Sequence, residues 1–536
     1  MLARYLLGLT LMGLILCPAP ARTADEKTTQ PTIQIRLKSL DRTLDDLKFF
    51  LASVGQEGAF MQLDEARKGP LAGAFDAIDA KKPWALYGHV KADLMESAGV
   101  LLVPVTSEKA FLSLLENVAH LKPTKDGDYY MVQPDNVPLN QPIYFRFAEG
   151  YACAAVGNKD ALKKGSLILP SAIFAKPISG SLDMHFRVDL VPNEYKQMLL
   201  GTAEVQLAEA QEKPLPGENE AQRRGRIMGM KAFGQMFSAM MKDGTDISLD
   251  VDISREHDHF GFGMGFGAKP GSDLAKKIAT LTAGKSLFAG WINPASPASF
   301  VSHAPLGEDG QKMVELMFTE GLANLAKQGA HEKTISEKVK KALEPTIKAK
   351  SVDVGLDWRG PSASGHYTLV AGVKVVDGDK VESLVKELLN EAPEKERAMI
   401  KLDASSIGEY KVHRLDVAST FDANARKILG DNPIYFSFRK DAVFLVLGDN
   451  GLAALGEAIQ GSPAAAPLVR GTLNLKGLVP LMKQSDPRAE GLAKDAFSKA
   501  GDDAITFTVQ GGDSLQMRLE AKGPVIKFMA GMGNKK

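Results

Sequence analysis

Two distant stretches of this chain repeat one another. Residues 140–157 read NQPIYFRFAEGYACAAVG and residues 431–448 read DNPIYFSFRKDAVFLVLG. With Pro142 set on Pro433, the Ile-Tyr-Phe-x-Phe run and the closing glycines Gly157 and Gly448 coincide at a shift of 291 residues. The same shift carries Gly180-Ser181-Leu182 onto Gly471-Thr472-Leu473. Upstream, VPVTSEKAFLSLLENV from Val103 matches VKVVDGDKVESLVKELL from Val373 at a shift of 270, so the second copy holds an insertion of 21 residues around Asn390 to Leu429. Self-similarity on this scale calls for two like modules. The 536 residues exceed the roughly 250–300 that one core supports.

Each copy reads as strand, helix, several strands and helix. Ile33, Ile35 and Leu37 alternate as a strand, and Leu44, Leu47, Leu51 and Val54 recur at helical spacing. Hairpins are expected to turn at Glu149-Gly150 and near Lys440-Asp441. Leu182, Met184, Phe186, Val188 and Leu190 alternate with polar residues, as do Ile247, Leu249, Val251 and Ile253, which predicts antiparallel strands with an apolar buried face and a polar wet face. The fold class expected is therefore α+β, with two homologous modules, each a mostly antiparallel sheet with helices packed on one face. The first module is expected over residues 25–285 and the second over residues 286–536, meeting near Gly284 after a helix Ser272 to Leu281.

Residues 1–24 have the form of a signal peptide: Arg4, an apolar run from Leu6 to Leu16, then Ala19-Pro20-Ala21. That run is too short to span a bilayer, no later segment reaches spanning length without charges, and Leu16 before Cys17 argues against a lipidated cysteine. The expectation is an exported protein, periplasmic or extracellular. Without Cys17 the mature chain holds only Cys153, so it forms no internal disulfide, and the apolar run Tyr151 to Val156 predicts a buried structural thiol. Lys+Arg and Asp+Glu both number 65, which removes the electrostatic footprint of a nucleic-acid binder.

Candidate motifs each have a plainer reading beside them. Residues 279–286, ATLTAGKS, fit a loose phosphate-loop pattern, but a helix precedes and a strand follows, the reverse of what phosphate binding needs. Glycines alternate from Gly261 to Gly267 at strand rather than dinucleotide-fingerprint spacing, leaving a bare face for close packing or a flat ligand platform. His257 and His259 share a strand face without nominated partners, and Asp246, Asp250 and Asp252 read as a solvated row rather than a calcium site. Ser383-x-x-Lys386 lacks companion motifs. No cofactor, metal or catalytic residue is nominated.

The segment with most character is Arg223 to Met241. Ile227, Met230, Phe233, Phe237 and Met241 form a methionine-rich stripe that either packs on the sheet or lines a groove for an apolar ligand or partner segment. The duplicated Val-x-Val helix segments and repeated Pro-Ile-Tyr-Phe-x-Phe hairpins resemble a family of large secreted bacterial proteins of unknown function. That resemblance implies an exported α+β protein and transfers no catalytic residue. The function expected is a non-enzymatic binding or envelope-associated protein, with an apolar ligand or an envelope protein as partner. The alternatives are a carrier of lipid and a hydrolase whose site is assembled between the modules.

Overall fold

The computed structural model describes residues 30–533 except 70–71, 94–95, 135–140, 216, 219, 328 and 417–420. The leader expected over residues 1–24, with Cys17, lies outside the described residues. The chain divides between Lys276 and Lys277 into two compact units. Each is α+β and antiparallel throughout its ladders.

The first unit contains β1 (Ile33–Leu37), β2 (Trp84–His89), β3 (Ala98–Pro104), β4 (Thr124–Asp126), β5 (Tyr129–Val132), β6 (Ile143–Ala148), β7 (Tyr151–Val156), β8 (Leu182–Phe186), β9 (Gly244–Ser254) and β10 (His259–Ala268). They pair in the spatial order β4-β5-β6-β7-β3-β2-β1-β8-β9-β10. The second unit opens with β11 (Gly284–Ser286), followed by β12 (Ala298–Pro305), β13 (Ser351–Arg359), β14 (Thr368–Lys374), β15 (Ile400–Ile407), β16 (Tyr410–Leu415), β17 (Ile434–Arg439) and β18 (Ala442–Gly448). It closes with β19 (Ala464–Ala466), β20 (Val469–Asn474), β21 (Ala504–Gln510) and β22 (Ser514–Lys522). Apart from the small β11–β19 pair, its order is β15-β16-β17-β18-β14-β13-β12-β20-β21-β22, the arrangement of the first unit strand for strand.

Register agrees as well as order. Val103 pairs with Ala152, and Val373 with Val443, the positions that the shifts of 270 and 291 superpose. The match of Gly180 with Gly471 does not persist: counted across the ladders from β3 and β14, Met184 takes the place of Gly471. A small length difference between the two units before β8 and β20 accounts for the slip.

Local signals explain the elements. Ser39 caps the helix Leu40–Ser53 by accepting from the Arg42 amide at 3.1 Å, and Ser107 caps Glu108–Asn117 through Ala110 in the same way. Glu149 and Gly150 both take positive φ (51° and 79°), the tight hairpin turn expected there. Among the described residues, no helix is long and apolar enough to cross a membrane.

The sequence reading places helices on one sheet face, whereas both faces of β3 and β7 are packed. Leu102, Cys153 and Ala155 face Tyr87, Leu162 and Ile173, while Val103 and Ala152 face the other way toward Phe111 of Glu108–Asn117. A continuous apolar run such as Val100 to Val103 is what a strand buried on both sides requires. In the second unit Phe288, Trp291 and the helix Gly451–Gln460 cover Val301, Val370, Phe444 and Val446. Phe288 reaches this depth because Gly355 and Gly372 lie beneath it; a Cβ at either position would stand 2.5 or 2.4 Å from the ring or its Cβ.

The alternation in β8 and β9 is real, but the buried member of β8 is the polar Asp183 rather than an apolar residue, and in β9 both faces are half-buried. Asp183 is 1% exposed and paired with Arg36, while Leu182, Met184 and Phe186 stay half-buried. Val188 and Leu190 leave the strand on a short 3-10 turn. The glycines of β10 make room for the acidic row: a Cβ on Gly263 would lie 2.1 Å from Asp250 Oδ1, and one on Gly267 2.3 Å from Asp246 Oδ1. The polar face is thus packed down, leaving the apolar one partly open.

Candidate functional site

One cross-strand row in the second unit is apolar and open. Ladder partners follow one another as Leu445, Ala371, Leu356, Phe300, Gly471, Phe507 and Leu519, running from β18 to β22. Leu356, Phe300, Phe507 and Leu519 are 36–45% exposed, and Val373 beside them is 42% exposed. Seven strands at about 4.8 Å spacing make a track of roughly 29 Å. Gly471 and Ala371 leave shallow gaps in it. The same row in the first unit is Leu101, Leu86, Ile35, Met184, Leu249 and Met264, all half-buried, with Phe262 of β10 at 42% exposed on the same face. Fully burying one such side chain is worth about 1.5–3 kcal/mol, so a row with four large apolar side chains partly exposed is a candidate contact surface.

No protein-family model, curated protein or solved structure matches this chain.

Among the described residues, one group of three potential metal ligands comes together: Glu382 on the helix Gly378–Glu391, Asp403 at a bulge in β15, and His413 on β16. His413 is fully buried and packs against Phe436 and Phe438 at 5.0 and 5.7 Å. Asp403, at φ 51°, donates its backbone N–H to His413 Nδ1 at 3.2 Å, which assigns the ring proton to Nε2. Nε2 lies 3.4 Å from Glu382 Oε1 without hydrogen-bond geometry. Burial lowers the His413 pKa, against the pull of Glu382 and Asp403. A metal does not fit this donor set. Lys386 Nζ already sits 2.7 Å from Glu382 Oε1 and 3.1 Å from Asp403 Oδ1, and coordination through Nε2 would set an Nδ1–H against the Asp403 N–H.

A Ser/His/Asp set is also present, at Ser364, His366 and Asp449. Its wiring is not that of a nucleophile: Ser362 and Ser364 donate to the Asp449 carboxylate, Asn432 joins them at 2.7 Å, and one ring nitrogen of His366 faces both Ser364 and Asp449. Burial alone would raise the Asp449 pKa, but these hydrogen bonds and the neighbouring His366 hold it down at about 2, too low for a general base.

The methionine-rich residues lie on the helix Glu220–Asp243, which pairs with Asn193–Glu212. Ile227, Met230 and Phe237 are half-buried, Met241 is buried, and Phe233 is 53% exposed with its ring stacked on Phe237. The five do not share one open surface. Gly234, within the stripe, abuts Leu207 of the neighbouring helix. His259 pairs with Asp252 at 3.2 Å. Cys153 is fully buried in apolar surroundings, and burial pushes its thiol up to about 12. Sequence reasoning missed the open row because its members lie on seven strands far apart in sequence. The signal was present in the alternation, attached to the wrong face.

Proposed function

We propose that this protein is an exported, non-enzymatic binding protein that takes an elongated apolar molecule of acyl-chain type along the open sheet row of each unit. The observation that carries the reading is the unbroken apolar ladder through Leu356, Phe300, Gly471, Phe507 and Leu519, with its large side chains 36–45% exposed. A long, narrow track with gaps at Gly471 and Ala371 favours a chain-like ligand over a globular one. The two units are read as copies of one duplicated module, supported by their common strand order and by the shared register at Val103–Ala152 and Val373–Val443. Export rests on the leader-like residues 1–24.

Native mass spectrometry of the mature protein purified from its own host, followed by denaturing extraction, tests the reading. Release of a lipid or other long-chain molecule is the expected result. An empty protein that also fails to enhance the fluorescence of N-phenylnaphthylamine at about 100 µM would overturn it.

A further inference from the structure

The connection between β8 and β9 is unlike its counterpart in the second unit. There, between β20 and β21, the helices Leu475–Ser485 and Ala489–Ala496 are 11 and 8 residues long and pack with the C-terminal helix Gly523–Gly533 through Val479, Ala493, Val525 and Phe528. In the first unit the same connection is a hairpin of 20 and 24 residues, Asn193–Glu212 and Glu220–Asp243, about 30 and 36 Å long. The arm is built to hold its shape. Arg226 clasps Glu218 through two bonds of 2.7 and 2.9 Å and donates to the Ala210 and Lys213 carbonyls, and Leu207 fits against Gly234. Yet Met198, Leu199, Val205, Phe233 and Met236 remain 40–60% exposed.

Charge selects what covers them. Asn193–Glu212 carries four glutamates against one lysine, a net of −3, and Glu220–Asp243 carries five arginines and lysines against Glu220 and Asp243, a net of +3. When two such hairpins pack side by side with their turns at the same end, across a two-fold axis parallel to the helices, acidic and basic helices alternate around a four-helix bundle. Every neighbouring pair is then opposite in sign, and the exposed apolar residues gain a core. We infer that this arm is a dimerisation element whose partner is the arm of a second copy of this chain.

Sedimentation velocity on the mature full-length protein tests the inference. A dimer forming at micromolar concentration and weakening with salt is expected; a wild-type protein monomeric at about 100 µM overturns it. Val205→Glu with Phe233→Glu alters exposed positions, so the fold persists by circular dichroism while association weakens at least ~10-fold. A dimer unchanged by that pair overturns the inference. Two charge-reversed proteins guard against misfolding as an explanation. Lys231→Glu/Lys242→Glu and Glu204→Lys/Glu209→Lys each run as monomers alone and form a heterodimer when mixed. Failure of the mixed pair to associate, or association of the arm with lipid vesicles in place of a second copy, counts against it.

Discussion

Gly471 faces Phe300 directly across the β12–β20 ladder, with Phe507 opposite on the β21 side, so two aromatic side chains flank a position that has none. A Cβ at Gly471 would meet only Phe300 Cδ2 and Ser299 O, both at 3.7 Å, an ordinary contact. The gap is therefore open rather than forced. Gly471→Leu should leave the fold and thermal midpoint nearly unchanged while weakening uptake of an apolar probe about 10-fold, or about 1.4 kcal/mol. Probe titration of both proteins checks this, and unaltered affinity would remove Gly471 from the binding track.

The Arg36–Asp183 pair should be among the most sensitive points of the first unit. Both side chains are buried, the guanidinium donates to the carboxylate at 2.7 and 2.8 Å, and Arg36 also reaches the Lys176 carbonyl at 2.8 Å. Removing one partner strands a buried charge, which costs about 3–5 kcal/mol. Asp183→Asn and Arg36→Met should each lower the unfolding midpoint sharply in urea titrations. Replacing both together should cost less than the two losses added.

Cys153 should resist thiol reagents until the protein unfolds. It has no exposed surface, and at about 12 its thiol holds a thiolate fraction at neutral pH roughly a thousandfold below an ordinary one. Native labelling should be slow and should accelerate in step with denaturation. Rapid native labelling would show that β7 opens without global unfolding.

These cases show what local pattern can reveal. Hairpin positions were legible because Glu149-Gly150 and Lys440-Asp441 interrupt strong strand signals, and the helices Leu40–Ser53 and Gly378–Glu391 because their apolar spacing is helical. The dry side of β8 was not. Alternation reports two unlike faces, and only the tertiary partner Arg36 together with the glycine row of β10 makes the polar face the packed one. Clusters such as Glu382–Asp403–His413 were invisible for another reason: a helix, a strand bulge and a second strand bring together residues that no sequence spacing links. His413 and Tyr130 occupy matching places, each against the first Phe of the repeated hairpin, His413 tilted on Phe436 and Tyr130 stacked on Phe145. In that sense the polar cluster belongs to the second unit alone among the described residues.

The buried imidazole of that cluster gives the protein an acid-sensitive term whose sign can be worked out. The unfolded chain takes up a proton at His413 near the ordinary value of 6.5, whereas burial lowers the folded value despite Glu382 and Asp403 nearby. The unfolded state therefore binds more protons as pH drops through 6.5, and stability, full above that value, declines toward the lower folded pKa. His89 in the first unit is lowered by burial in the same direction, so the wild-type slope contains both terms. His413→Gln keeps an acceptor for the Asp403 amide but cannot titrate. The variant should lose less stability than wild type between about pH 7 and 5 while differing little between them at pH 8. Thermal unfolding of the two proteins across that range checks the claim. Parallel curves would mean that His413 takes up its proton as readily folded as unfolded, and that the Asp403 N–H to Nδ1 bond does not keep the ring neutral.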